Sequence, residues 1–354
     1  MPASRRSPAG PRPTLKTIAA ATGLAVATVS RALTDAPDIG AATKARVREA
    51  ARSLGYRPNR AGVRLRTGKT NVIALVLSTE TDMMTHTSRL IYAIAAALRG
   101  TAYHLVVMPY FPDQDPMEPV RYLAETGSAD GVILNQTLPD DPRVRYLMAQ
   151  GLPFVTHGRT DMGLDHPYFD FDNHAFARLA AAALCDRGRR HLLLIAPPLD
   201  QSYAVELIAG FTAEATRHGI RAEIAQGITS DSPAAEVEAA VTARMGQGAP
   251  DGLITASPTA AMAAISGAEA AGLRIGRDFD IVAKEAVPFL RRFRKETLVV
   301  HEDMGRAGDF LARAVMTAIE RKQAGAGQYL GQYLGQYLDS PTGLDAGDGQ
   351  QKSQ

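Results

Sequence analysis

From residue 71 to about residue 283, short apolar runs alternate with alanine-rich stretches, and this alternation restricts the chain's architecture more than any other feature. The runs NVIALVL (71–77), HLVVMP (104–109), DGVIL (130–134), PFVTH (153–157), HLLLIA (191–196), DGLITA (251–256) and DFDIVA (278–283) are rich in β-branched residues and leucine. Between them lie helical patterns, notably at 88–99, 173–187, 201–217, 233–245 and 258–271. Strand, helix, strand in repetition predicts an α/β body whose parallel sheets are covered by helices. The span is too long for one small sheet.

The chain has 354 residues, 45% of them hydrophobic, enough for a buried core or two. Its single cysteine, Cys185, excludes an internal disulfide framework and a zinc site built on a cysteine pair. No window holds 18 consecutive apolar residues, and the opening MPASRRSPAGPRP has arginines without an apolar segment behind them. Neither a membrane span nor a secretory signal is expected, and the reading is a cytoplasmic protein without a membrane partner.

Charge is unevenly distributed. Residues 1–70 carry fourteen Lys and Arg against three acids, Asp35, Asp38 and Glu49, whereas the rest carries 25 bases and 34 acids. A basic module joined to an acidic body is the electrostatic footprint of a nucleic-acid-binding head on a regulatory or catalytic domain. The bland alternative is a solvated basic surface with no partner.

The head reads as a small all-α unit. Residues 1–13, dominated by Pro, Ser and Arg, form a disordered arm. Within 14–56, Leu15, Ile18 and Ala19 recur at helical spacing, Gly23 permits the reversal of a helix-turn-helix, and Val29, Ala32 and Leu33 face back inward. A third helix starts near Gly40, turns Val47, Ala50, Ala51 and Leu54 to the core, and stops at Gly55. Ala25 stands at the cap of the second helix, where Ser or Thr would satisfy a free amide, a loss of about 1 kcal/mol. In that helix Arg31 suits a bidentate contact to guanine, and Val26 and Ala27 offer methyl surface to thymine.

TLKTIAAATGLAVATVSRAL (14–33) and TKARVREAARSLGYRPNRAGVRLRTGKT (43–70) resemble the lactose- and galactose-repressor family of bacterial transcription regulators. More loosely, the likeness continues to about residue 325. It implies that the second helix lies in the major groove of double-stranded operator DNA, with Val26, Ala27 and Arg31 reading bases and Thr14, Thr28, Ser30 and Thr34 on phosphates. It implies a hinge helix within 57–70, where Asn59 and Arg60 belong to the DNA-binding set and Leu65 wedges a base step of the minor groove. Such a short helix does not form alone. Gly62, where the family more often has alanine, weakens it further. The body, 71–325, is implied to be two parallel-sheet subdomains of periplasmic-binding-protein type, about 71–160 plus 295–324 and about 161–294, that hold a ligand and pair subunits into a homodimer or a tetramer.

Open α/β sheets bind ligands beyond the carboxyl ends of their strands. Those ends are Ser78-Thr79-Glu80, Asn135-Gln136, His157 and Arg159, residues 198–203, Ser257, Lys284-Glu285 and His301-Glu302-Asp303. Such a lining suits a mono- or disaccharide: amides and carboxylates pair with hydroxyls, and a ring such as Tyr203 or Phe169 covers the sugar face. Arg159 and Glu285 are the first candidates, followed by Asn135, His157, Tyr203, Ser257 and Glu302. Asp172 in FDFDN fits both a ligand contact and a helix cap, and for any of these residues mutual pairing is the competing role. The segment STETDMMTHTS (78–88) and the pair Ser257-Pro258 depart from the family's common pattern, so the cleft is divergent.

Gly68-Lys69-Thr70 ends like a phosphate-binding loop, but Gly62 is one position too far upstream and the segment precedes a strand instead of following one. No GxSxG elbow, HExxH or Cys-His zinc spacing occurs, so no enzyme, metal or cofactor is called for. A sugar-sensing protein without DNA binding is the alternative, for which the basic head would have no use. In the tail, 326–354, GQYLGQYLGQYL (327–338) reads as coding-repeat slippage in a disordered terminus.

Overall fold

In the computed structural model, residues 13–56, 68–79, 84–246, 248–323 and 336–345 are described. The chain divides into two compact units, 1–70 and 71–354. The arm through residue 12, the hinge segment 57–67 and most of the tail lie outside the described residues. No helix among the described residues is long and apolar enough to cross a membrane.

The head contains α1 (Leu15–Thr22), α2 (Val26–Leu33) and α3 (Ala41–Ser53). Thr14 caps α1 in a reciprocal pair with Thr17, and Gly23 ends it with φ +67°, a left-handed geometry that glycine adopts without strain. Ile18, Ala19, Val29, Ala32, Val47 and Ala51 form the core, with Ala50 and Leu54 packed at its border. Because Val29 and Ala32 face inward, Val26, Ala27 and Arg31 are left outside on α2.

The body holds two sheets in which every strand pairing is parallel. The first contains β1 (Val72–Ser78), β2 (His104–Tyr110), β3 (Gly131–Asn135), β4 (Phe154–His157), β5 (Tyr168–Phe171) and β11 (Gln336–Asp339), in the order β11-β5-β4-β3-β1-β2. The second contains β6 (His191–Ile195), β7 (Arg221–Ile224), β8 (Gly252–Thr255), β9 (Asp280–Glu285) and β10 (Leu298–His301), in the order β10-β9-β8-β6-β7.

Helices cover both faces of each sheet, as the strands' alternation requires. On β1, Ile73, Leu75 and Leu77 pack against α4 (Met84–Ala97) and α12 (Met304–Gln323). Ala74 and Val76 point to the opposite face, under α5 (Glu118–Thr126) and α6 (Pro142–Gln150). On β6, Leu192 and Leu194 meet α7 (Asn173–Asp186) and α8 (Ser202–His218). Leu193 and Ile195 meet α9 (Ala234–Arg244) and α10 (Pro258–Ala270). A short helix, α11 (Leu290–Phe293), follows β9.

Two expected boundaries are corrected. Strand β5 belongs to the first sheet and β10 to the second, so the chain changes sheets at 171–173 and 301–304, not near 160 and 295. The sheet, not the preceding loop, sets each boundary, because a strand's amides must pair within the sheet it extends. The tail is corrected too. The last GQYL copy enters β11, which pairs with β5 and stacks Tyr337 on Phe169 at 5.2 Å between ring centroids. Residues 340–345 then pass to the second sheet, where Asp345 and Val299 exchange backbone hydrogen bonds.

Candidate functional site

Each sheet has one place where strand order reverses, between β1 and β3 in the first and between β6 and β8 in the second. Neighbouring strands there lead to helices on opposite faces, which leaves a crevice beyond their carboxyl ends. A cleft opens at these ends. The first sheet contributes Asn135, Gln136, Thr137, His157 and Asp170, and the second contributes Ala256, Ser257 and Lys284. His86 and Thr87 of α4, Asn173 of α7 and Tyr203 of α8 complete much of the wall, with Phe171 and Met304 as apolar surface.

The floor is a buried ion pair. Lys284 Nζ donates to Glu302 Oε2 at 2.8 Å and to Asn173 Oδ1 at 3.1 Å, and it lies 4.9 Å from the centroid of the Phe171 ring. Burial works against the Glu302 charge, but the Lys284 ammonium beside it holds its carboxyl below the ordinary value. Burial keeps His86 neutral, with its pKa lowered to about 4, and lowers His157 as well. His157 Nδ1 and Asn135 Oδ1 are 2.8 Å apart, which fixes the ring as a donor at Nδ1 and leaves Nε2 to accept. Burial lifts Asp170 to about 7, although Arg159 pulls the other way.

A second buried pair shapes the loop after β3. Arg143 donates to both Asp141 oxygens, at 3.0 and 2.7 Å, and to the Gln136 carbonyl at 2.6 Å. Gln136 has φ +54°, which a side-chain-bearing residue holds only when its surroundings impose it. Arg143 therefore fixes the backbone that presents Asn135, Gln136 and Thr137.

Of the expected ligand residues, Asn135, His157, Tyr203, Ser257 and Glu302 line the cleft. Arg159, Glu285 and Asp172 do not. Gly158, at φ +105°, turns the chain so that Arg159 reaches Asp170 and Glu206 instead. Glu285 is buried and accepts from the amides of Phe289 and Leu290, at 3.2 and 3.1 Å, at the start of α11. Its neighbour Lys284 points to the cleft because successive strand residues face opposite sides. Asp172 caps α7 by accepting from Ala175 N at 2.8 Å. Phe169 is inside the first core, so Phe171 supplies the cleft ring that it was expected to supply.

Sequence reading placed Lys284 at a strand end without choosing it as a ligand residue, and it missed His86, Thr87, Asp170 and Asp231. His86 and Thr87 lie in the divergent segment 78–88, and Asp170 stands two residues before Asp172 in FDFDN. Both signals were present, but neither indicates which residue faces the cleft.

On the head, α2 presents Val26, Ala27 and Arg31 to solvent, with Thr28 and Ser30 half-buried beside them. Ala25 caps α2 without a side-chain hydrogen bond. Arg31 forms an ion pair with Asp38 from the segment that follows the helix. Thr34 donates to the Ser30 carbonyl, and Thr14 is engaged in its own cap. Asn59, Arg60 and Leu65 lie outside the described residues.

Comparisons with known proteins agree with this division of the chain. Residues 14–59 match the profile of bacterial regulatory proteins of the lacI family, and residues 70–319 match that of periplasmic binding proteins and the sugar binding domain of the LacI family. The chain is 31% identical to the HTH-type transcriptional regulator AglR of Rhizobium meliloti (strain 1021), over 86% of this chain and 87% of that one. It is 36% identical to the HTH-type transcriptional regulator RafR of Escherichia coli, over 58% of this chain and 62% of that one, so under two thirds of RafR is spanned. Among solved structures, a lac repressor dimer bound to operator and an anti-inducer is similar in fold, with a TM-score of 0.79 at 22% identity over 94% and 98% of the two chains. A CelR–cellobiose complex is similar with a TM-score of 0.64 at 24% identity over 94% and 98%. A helix-turn-helix head and a two-sheet ligand-binding body, each matched by its own family profile, make this chain a member of the LacI family of bacterial transcription regulators.

Proposed function

We propose that this chain represses transcription as a homodimer on a near-palindromic operator, and that a mono- or disaccharide in the body cleft controls its operator affinity. The observation that carries the proposal is the union, in one chain, of an α2 with Val26, Ala27 and Arg31 turned outward and a cleft lined by hydroxyls, amides and carboxylates at the switch points of two parallel sheets. Two-fold symmetry of the protein matches two half-sites. Arg31 reads a guanine while Val26 and Ala27 pack on thymine methyls; Thr14, Thr28, Ser30 and Thr34 meet phosphates.

Within the cleft, Asn135, His157, Tyr203, Ser257, Glu302, Asp170 and Lys284 hold the sugar by hydrogen bonds. Its hydroxyls both donate and accept, as this mixed lining demands. A cellobiose-bound relative of the same fold supports a carbohydrate ligand. A ligand that binds one relative position of the two sheets better than another shifts the body between them, and hinge folding at 57–70 is linked to that shift. The cleft binds without chemistry, and the protein acts where the DNA is, in the cytoplasm.

Gel-shift titration with genomic fragments, repeated with a panel of mono- and disaccharides, tests the proposal. Sequence-specific binding that one sugar relieves is expected. Sugar binding without any DNA binding would instead identify a sugar sensor with an inert head.

A further inference from the structure

We infer that the cleft selects uncharged sugars and rejects their anionic derivatives, uronates, aldonates and sugar phosphates. The inference rests on the reading of the cleft as a sugar site and narrows its ligand class.

An anion needs a cation or a set of unserved N–H groups. Among the described residues, Lys284 is the one Lys or Arg in the lining, and it is already committed to Glu302 and Asn173. A ligand anion that took Lys284 would leave Glu302, itself only 5% exposed, as a buried charge without its partner. Uncompensated buried charges are far more costly than the pair they come from. Arg159, the arginine expected there, stands outside the lining, 3.4 Å from Asp170 and 2.7 Å from Glu206. Burial disfavours the charged form of both lining histidines.

The balance of the wall is acidic. Asp231 and Glu302, and Asp170 in its ionised form, face Lys284, the one Lys or Arg of the lining among the described residues. Four helices with a described cap, α7, α8, α10 and α12, begin at the cleft, and helix N-termini attract anions. Here, however, each has an acceptor from the chain: Asp172 for α7, Ser257 for α10, the Thr137 carbonyl for the Ser202 amide of α8, and Asp303 for the Gly305 and Arg306 amides of α12.

For a neutral polyol the same wall is attractive. Among the described residues, the buried lining atoms His86 Nε2 and Thr87 Oγ1 have no hydrogen-bond partner, His86 Nε2 lying 3.8 Å from Glu302 Oε2. A polar atom in that state costs free energy until a ligand serves it, and a hydroxyl serves either kind. The Phe171 and Tyr203 rings provide surface for the apolar face of a pyranose.

The test compares, by calorimetry on the full chain in one buffer, three forms of each ligand in a glycoside panel: the parent sugar, its uronate, and the neutral uronamide of the same shape. Parent and uronamide are expected to bind alike, and the uronate about tenfold or more weaker, since it adds a charge to a site with no spare cation. In Glu302→Gln, which releases Lys284, the uronate deficit shrinks to about threefold or less. A uronate that binds wild type as well as its uronamide does overturns the charge selection while leaving the sugar site intact. If no member of the panel binds in any form, the sugar reading itself falls.

Discussion

Arg159 joins the two halves of the body: its Nη2 lies 2.7 Å from Glu206 on α8, and its Nε lies 3.4 Å from Asp170, which faces the cleft from the opposite half. Close by, the Ser202 amide at the start of α8 donates to the Thr137 carbonyl at 2.9 Å, a second link across the same line. Both contacts favour a closed cleft, and ligand affinity scales with the population of the competent form. Arg159 and Glu206 are about a quarter and a third exposed, so solvent screens the pair. Glu206→Ala is therefore expected to weaken sugar binding only about two- to fivefold. Calorimetry on wild type and variant measures it, and equal or tighter binding would remove the pair's role in closure.

In the head, Arg31 pairs with Asp38, and both groups are exposed. To reach a guanine, Arg31 must exchange that carboxylate for a base edge, and Asp38 also repels phosphate. Arg31→Ala should cost about 1–3 kcal/mol and relax preference at one base pair. Asp38→Asn should tighten both operator and non-specific binding by about two- to fivefold, the scale of an exposed ion pair. Binding to randomised operators measures both effects. Weaker binding in Asp38→Asn would mean that the carboxylate orients Arg31 and does not compete for it.

Leu65 lies outside the described residues, and its role as a minor-groove wedge rests on the family resemblance. Leu65→Ala is expected to lower operator affinity and leave sugar affinity nearly intact. Fluorescence anisotropy on DNA and calorimetry on sugar separate the two, and an equal loss in both would refute the assignment.

Asp170 titrates near 7 in the folded chain because burial disfavours its charge, against 3.8 for an ordinary aspartate. Between those values the unfolded chain releases a proton that the folded one keeps, so this group's contribution to stability falls as pH rises through the window. His86, lowered to about 4 from 6.5, has the opposite slope, which masks the effect in wild type. Asp170→Asn isolates it. The variant's Tm relative to wild type should climb from about pH 4 to 7 and level off above. A difference independent of pH would place Asp170 at an ordinary value.

Tyr337, from the last GQYL copy, stacks on Phe169, and Arg306 both reaches the Tyr337 hydroxyl and pairs with Asp339 at 2.7 Å. Tyr337→Ala is expected to destabilise the body by about 1–3 kcal/mol through lost aromatic packing. Denaturant midpoints test this, and an unchanged midpoint would return the whole repeat to dispensable tail.

Local elements were legible from the residues alone. Short apolar runs marked seven of the strands and period-3.6 patterns the three head helices, because burial imprints its pattern on the chain. The outward face of α2 followed from the inward one. The sequence did not announce β5, β7, β10 and β11, which are four residues each and lie at or next to a sheet edge, where a strand carries too little apolar repetition to be recognised. Nor could it assign the cleft. A one-residue step along a strand reverses the face, so Lys284 rather than Glu285 points to the cleft. One left-handed turn at Gly158 took Arg159 out of the lining, and one helix cap claimed Asp172. Strand ends narrowed the cleft to a few short segments, but which side chain of each faces inward depends on the sheet's register and on the partners the other half of the body supplies. Those partners come from residues distant along the chain, and only the tertiary structure brings them together.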